Sequence, residues 1–281
     1  MGSAAARAEP FLFVFPFHPG SGGEQGGFVI IGGVMGLFIG ALLGLTGAGG
    51  GILAVPALVF GLGMDVRQAA PVALIAVGAA AILGALQGLR QGTVRYKAAA
   101  VLAVAGGLAS PLGVDVARRL PDAWLDLAFA AVMLVIAYRM FGSSRRATAA
   151  AGPAAAVPKI CKISRDTGRF VWNAPTFLTL GLVGVASGLC TGMLGVGGGF
   201  IIVPALGYFS ELRMHSIVST SLMVIALISA ATVSMAWTRG LTLTPPAWAF
   251  SLAAVAGMGI GRLLSPRIPA ASLQRGFALV C

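Results

Sequence analysis

Long apolar stretches, separated by short polar breaks, run through most of the 281 residues. Phe28 to Thr46 holds no charge over about 19 residues, enough to cross a hydrocarbon core of ~30 Å as a helix. Gly36, Gly40 and Gly44 recur there every fourth residue, so they stack on one face and admit a second helix backbone at close range. A glycine run follows, Gly47, Gly49, Gly50 and Gly51, and then an apolar stretch from Ile52 to Leu62. As a helix that stretch is only about 16 Å long at 1.5 Å per residue, half a membrane. Further spans are expected over Gln68–Leu89, Ala98–Val116 and Trp124–Tyr138, the last bounded by aromatic residues placed like interfacial anchors.

The pattern then repeats. Thr176 to Leu194 is the long helix, with Gly184, Gly188 and Gly192 as its stripe; Gly195, Gly197, Gly198 and Gly199 form the break; Phe200 to Phe209 is the half-length helix. Between 36–60 and 184–208 eleven of twenty-five positions are identical without a gap, including Val55-Pro56-Ala57-Leu58 against Val203-Pro204-Ala205-Leu206. Ser216–Trp237 and Ala247–Leu264 continue the second copy. Too few residues follow Ser272 for a full counterpart of 124–141, so the last helix is expected to be short or truncated. An internal duplication of this length decides the architecture before any other signal.

The expected fold is therefore an all-α polytopic membrane protein built from two homologous repeats. Each carries a glycine break and a half-length helix, either discontinuous or re-entrant. The division is a tail at 1–27, a first repeat at 28–141, a basic linker at 142–173 and a second repeat at 174–281. A hairpin at each break makes the repeats inverted, whereas a single broken span makes them parallel; the loop charges do not choose.

Composition agrees with a lipid solvent: 58% of residues are hydrophobic and 10% charged, with mean hydropathy +0.94. Soluble domains carry about 25% charged residues. The +11 net charge is not a nucleic-acid footprint, because the basic residues sit in the breaks between apolar runs. The linker is the most basic segment, with Arg145, Arg146, Lys159, Lys162, Arg165 and Arg169 against Asp166, and is expected on the cytoplasmic side. Phe11 to Phe17 is too short to span and only weakly resembles a signal peptide. Cys161, Cys190 and Cys281 have neither metal-site nor disulfide spacing.

The glycine runs are not nucleotide loops. No Lys-Ser/Thr pair follows either run, and the third glycine of a dinucleotide fingerprint is replaced by Ile52 and Phe200. The spans hold no paired carboxylates and no His pair, so no catalytic residue, metal site or cofactor is expected. Asp115, three and four residues before Arg118 and Arg119, reads as their helix-surface partner.

The chemistry left is that of the backbone. A helix start leaves four N–H groups without intrahelical partners, and its dipole adds a partial positive charge. Two such starts facing each other at mid-membrane make an anion site without Arg or Lys. Candidate ligands are Gly47, Gly49, Gly50, Gly51, Gly195, Gly197, Gly198 and Gly199, with Pro56 and Pro204 as hinges of the half-helices. Ser219, Thr220 and Ser221 add hydroxyls from the next span; Pro71, Val72 and Ala73 stand at the matching positions, so the site is asymmetric. The bland alternatives are close-packing hinges for the glycines and back-bonding to helix carbonyls for the hydroxyls.

The doubled pattern GxxxGxxxGxxGxGGGxxxVPxL, with Thr220-Ser221-Leu222 after the second copy, resembles the sulfite exporter TauE/SafE family of membrane permeases. The resemblance covers roughly 28–141 and 174–281. It implies secondary transport, across a bacterial inner membrane, of a small anion such as sulfite, an organosulfonate or a related sulfur-containing acid. A passive anion channel and a membrane scaffold without transport are the alternatives. Expected partners are the small anion and the bilayer, with a second copy of the chain left open and nucleic acid excluded.

Overall fold

A computed structural model describes residues 22–46, 50–121, 123–125, 127–132, 134, 173–210, 214–238 and 244–264. In chain order the helices are α1 (Gly22–Thr46), α2 (Gly50–Leu62), α3 (Val66–Arg90), α4 (Tyr96–Arg119), α5 (Ala123–Val132), α6 (Ala174–Leu194), α7 (Gly199–Phe209), α8 (Met214–Thr238) and α9 (Pro245–Leu264). No extended strand occurs among the described residues. Six helices, α1, α3, α4, α6, α8 and α9, are long and apolar enough to cross a membrane. The linker up to residue 172, the N-terminal run and the segment after Ser272 lie outside the described residues.

Most helices begin about two residues before the apolar runs that predict them, and α1 begins six before. Hydropathy marks only the lipid-immersed part, and a nucleated helix continues through polar residues at little cost. So α1 starts at Gly22 rather than Phe28, and α3 closes at Arg90 with Gln91 N–H bonded to Gln87 O at 3.0 Å. Pro56, Pro71, Pro111 and Pro204 all lie inside helices.

Glycine stripes decide which helices touch. Between helices in lipid the hydrophobic effect is absent, so close backbone approach and dispersion contacts hold them together. A Cβ added at Gly36, Gly40 or Gly44 would run into the carbonyls of Phe250, Ala254 and Met258 in turn. From α9 the contact is returned, with Gly257 and Gly261 set against the carbonyls of Leu37 and Ala41. Both sequences ascend together, so α1 and α9 are parallel. In the same way Gly184, Gly188 and Gly192 lie on Leu102, Gly106 and Ser110, which makes α6 parallel to α4.

At the centre α3 crosses α8 in the opposite sense: Gly78 meets Ser229, Gly84 meets Leu222 and Gly88 meets Ser219. α2 runs back along α1, with Gly61 against the Met35 side chain and Leu62 beside Gly32. Two apolar clusters result. One joins α1, α2, α3 and α9 to Ile225 of α8; the other joins α4, α6, α7 and the Ile217–Val224–Ile228 face of α8. The outward faces carry large apolar side chains suited to lipid, as on α4, where Val104, Leu108 and Leu112 are all exposed.

Candidate functional site

The second glycine run is an irregular bridge between α6 and α7, and three of its four glycines need to be glycine. Gly195 ends α6 at φ 71° and donates its N–H to Thr191 O at 2.9 Å; Gly197 has φ 75°; Gly198 caps the start of α7 at φ 63°. These left-handed conformations cost an L-residue roughly 1–2 kcal/mol each, and nothing for glycine.

Side chains of α6 hold the bridge. The Ser187 hydroxyl donates to Gly198 O at 3.1 Å, and Thr191 donates to Ser187 O at 2.7 Å. Both residues are buried, as is the whole run from Gly195 to Gly199. Among the described residues the N–H groups of Gly197, Gly198, Gly199 and Phe200 meet no hydrogen-bond acceptor. Buried N–H groups in that state are costly, and successive ones around left-handed residues form a concave nest suited to anions.

The two halves meet here. A Cβ at Gly197 would lie 3.2 Å from Ile225 Cγ2 and 3.4 Å from Val77 Cγ1, so the loop sits between α3 and α8. A Cβ at Gly51, in the first turn of α2, would lie 3.0 Å from Val196 O and 3.1 Å from Val77 Cγ1. The start of α2 thus abuts the loop that starts α7. Gly47 and Gly49 lie outside the described residues, and the surroundings of Gly50 likewise.

The predicted hydroxyl cluster divides between two places. Ser219 Oγ accepts a hydrogen bond from Thr93 at 3.0 Å, and Thr220 Oγ1 accepts one from the Arg95 backbone N–H at 3.1 Å. These two tie α8 to the loop between α3 and α4. Ser221 is different: it is fully buried and its hydroxyl has no partner among the described residues. Other buried hydroxyls in these helices bond back to a carbonyl one turn earlier, as Thr191, Thr232 and Ser251 do.

One residue escaped the sequence reading. Ser229 is also buried with an unpartnered hydroxyl, and it stands eight residues after Ser221. Ile225 lies midway between them, and residues four apart share a helix face. Two unsatisfied hydroxyls therefore flank the side chain that meets Gly197. Leaving a buried hydroxyl unpaired costs roughly 1–3 kcal/mol, so this face of α8 is suited to a polar ligand. The signal in the sequence was faint: a single serine in an apolar run, legible only once Ser221 was in hand.

Six helices, each long and apolar enough to cross a membrane, define a multi-pass membrane protein. The family model "Sulfite exporter TauE/SafE" matches residues 32–281, and the chain belongs to this family. Among curated relatives, a "Probable membrane transporter protein" of Xylella fastidiosa (strain 9a5c) is 28% identical over 245 residues, covering 86% of this chain and 87% of its own. A protein of the same description from Xylella fastidiosa (strain Temecula1 / ATCC 700964) is 27% identical over 245 residues, with the same coverage. No solved structure matches the chain.

Proposed function

We propose that the chain is a secondary transporter for a small oxyanion, with sulfite, an organosulfonate or a related sulfur-containing acid as the substrate class. The anion binds where the start of α2 meets the glycine loop before α7. One observation carries this reading: the N–H groups of Gly197 to Phe200 lack acceptors among the described residues, and Gly197 packs against Ile225, the α8 residue midway between the unpaired Ser221 and Ser229 hydroxyls. An oxyanion supplies acceptors for both sets, and the α7 dipole favours its charge. The family membership and the relatives' descriptions support a transporter; the substrate class rests on the family's description alone.

Counterflow in proteoliposomes is the direct test. Vesicles loaded with unlabelled sulfite should accumulate labelled sulfite saturably, and sulfonates should compete. Flux without saturation or counterflow would replace the carrier with a channel. Ser221→Ala and Ser229→Ala should each raise the half-saturating concentration about tenfold, the loss of one hydrogen bond to a charged ligand. Ser251→Ala is the control, because that hydroxyl already bonds to Ala247 O at 2.8 Å, and it should stay near wild type.

The same reading includes two inverted repeats with re-entrant half-helices. In its support, α3 and its repeat counterpart α8 are antiparallel, and the pairs α1–α9 and α4–α6 exchange when the halves exchange. The return of α2 along α1 favours a hairpin at the break. Accessibility checks it: with the native cysteines replaced, Met64→Cys and His215→Cys should react with an impermeant maleimide from opposite faces. Labelling of both from one face would establish parallel repeats instead.

A further inference from the structure

A second set of unpaired polar groups sits at the other end of the α4–α6 pair. Arg95 caps the start of α4, and its Nε is buried without a hydrogen-bond partner among the described residues. Thr176, in the first turn of α6, is 1% exposed and its Oγ1 is likewise unpartnered.

These groups share one level of the molecule. α4 and α6 are parallel, with Gly184 on Leu102, Gly188 on Gly106 and Gly192 on Ser110. Carried back two turns, that register sets Thr176 beside residues 94 and 95. Thr220 completes the group, since its Oγ1 accepts the Arg95 backbone N–H at 3.1 Å and its own proton has no acceptor among the described residues. Thr176 is one turn before Leu180 and Thr220 lies between Ile217 and Val224, so both border the apolar cluster those residues form with α4.

We propose that the Arg95 guanidinium, with the Thr176 and Thr220 hydroxyls, binds a small oxyanion at this end of the molecule, in a subsite separate from the glycine loops. A buried guanidinium nitrogen without a counter-charge is unfavourable, and an anion that also accepts from two hydroxyls removes that cost. The shared ligand chemistry is a sulfur or phosphorus oxyanion. Its source is either the soluble anion on its way to the centre or the headgroup of an anionic lipid.

The test is equilibrium binding rather than flux, so it stands even where the transport reading fails. Purified full-length protein is titrated with sodium sulfite and with inorganic phosphate, as wild type and as Gly197→Val, in which the glycine-loop site is filled. Binding that survives in Gly197→Val should weaken at least tenfold in Arg95→Gln and less in Arg95→Lys. The tie from the Arg95 backbone N–H to Thr220 is kept in both, so unliganded melting temperatures should match. Thr176→Val removes an unbonded hydroxyl at nearly constant shape; it should fold as well as wild type and lose three- to tenfold in affinity, which provides a second reading if Arg95→Gln folds poorly. The lipid arm is native mass spectrometry of protein from phosphatidylglycerol nanodiscs. Arg95-dependent retention of phosphatidylglycerol, with no binding of soluble anions, assigns the subsite to a headgroup. Affinities within twofold of wild type in both Arg95→Gln and Thr176→Val, with lipid retention unchanged, overturn the proposal.

Discussion

Gly197→Val is expected to abolish anion counterflow while leaving the protein inserted and monodisperse. The left-handed backbone at φ 75° penalises any β-branched residue, and the new Cβ falls 3.2 Å from Ile225 Cγ2 and 3.4 Å from Val77 Cγ1. The two γ-methyls then press against α3 and α8, where the anion is proposed to meet the backbone. A displacement of about 1 Å in a binding site is enough for a loss of roughly a hundredfold, and here the volume itself is taken. Gly197→Ala should be intermediate. Gly207→Ala, at a helical glycine with open space around its Cβ position, should transport normally and gain slightly in stability. Counterflow at the wild-type rate in a folded Gly197→Val protein would remove the glycine loops from the transport path. Gly198 is a poorer probe, because a Cβ there collides with the Ser187 hydroxyl and lies 2.7 Å from Thr191 Oγ1, confusing folding with binding.

The second large effect is on the fold. Gly40→Val and Gly188→Val should each lower the melting temperature markedly, and the double variant should yield no monodisperse protein. At both positions the added carbon enters a backbone carbonyl of the partner helix, Ala254 in one case and Gly106 in the other. A carbonyl in a helix cannot turn aside as a side chain does, so the helices must part. Overpacking costs typically 1–3 kcal/mol, and against a total stability of about 5–15 kcal/mol two such sites are decisive. Gly33→Ala and Gly181→Ala lie on faces with nothing within 4 Å and should melt within about 2 °C of wild type. Thermal unfolding followed by size exclusion reads all four. A Gly40→Val protein as stable as Gly33→Ala would show that the α1–α9 seam contributes little.

The stripes that make this prediction were visible in the sequence as spacing alone, since glycines four apart fix a helix face. Their partners were not visible. A stripe states that some backbone comes close, and nothing in Gly36, Gly40 and Gly44 names α9 rather than α3. The helices were legible because lipid demands long uncharged runs; the ends at Thr46, Leu62, Leu194, Phe209 and Leu264 were legible too, while the start of α1 was not, because polar residues continue that helix beyond the apolar run. The hydroxyl cluster shows another boundary. Ser219, Thr220 and Ser221 are adjacent in the chain, but each residue turns a helix by about 100°, so the three face three neighbours. Ser219 turns to Gly88 and Thr93, Thr220 to the start of α4, and only Ser221 is left unbonded beside the turn that bears Ile225. Ser187 escaped attention because its partner is a carbonyl eleven residues on, and a backbone partner leaves no mark in the sequence.

The parallel pairing of α1 with α9 bears on how the chain is made. α1 is synthesised first, and the surface that its glycines fit belongs to a helix more than two hundred residues later. At about 5–20 residues per second the ribosome needs on the order of ten seconds or more to supply it. During that interval the α1 stripe lies against lipid or against a temporary neighbour, while α4 finds α6 much sooner. The seam formed last thus joins the oldest and youngest parts of the described chain, and a pause or a truncation late in translation would strand α1 without its mate.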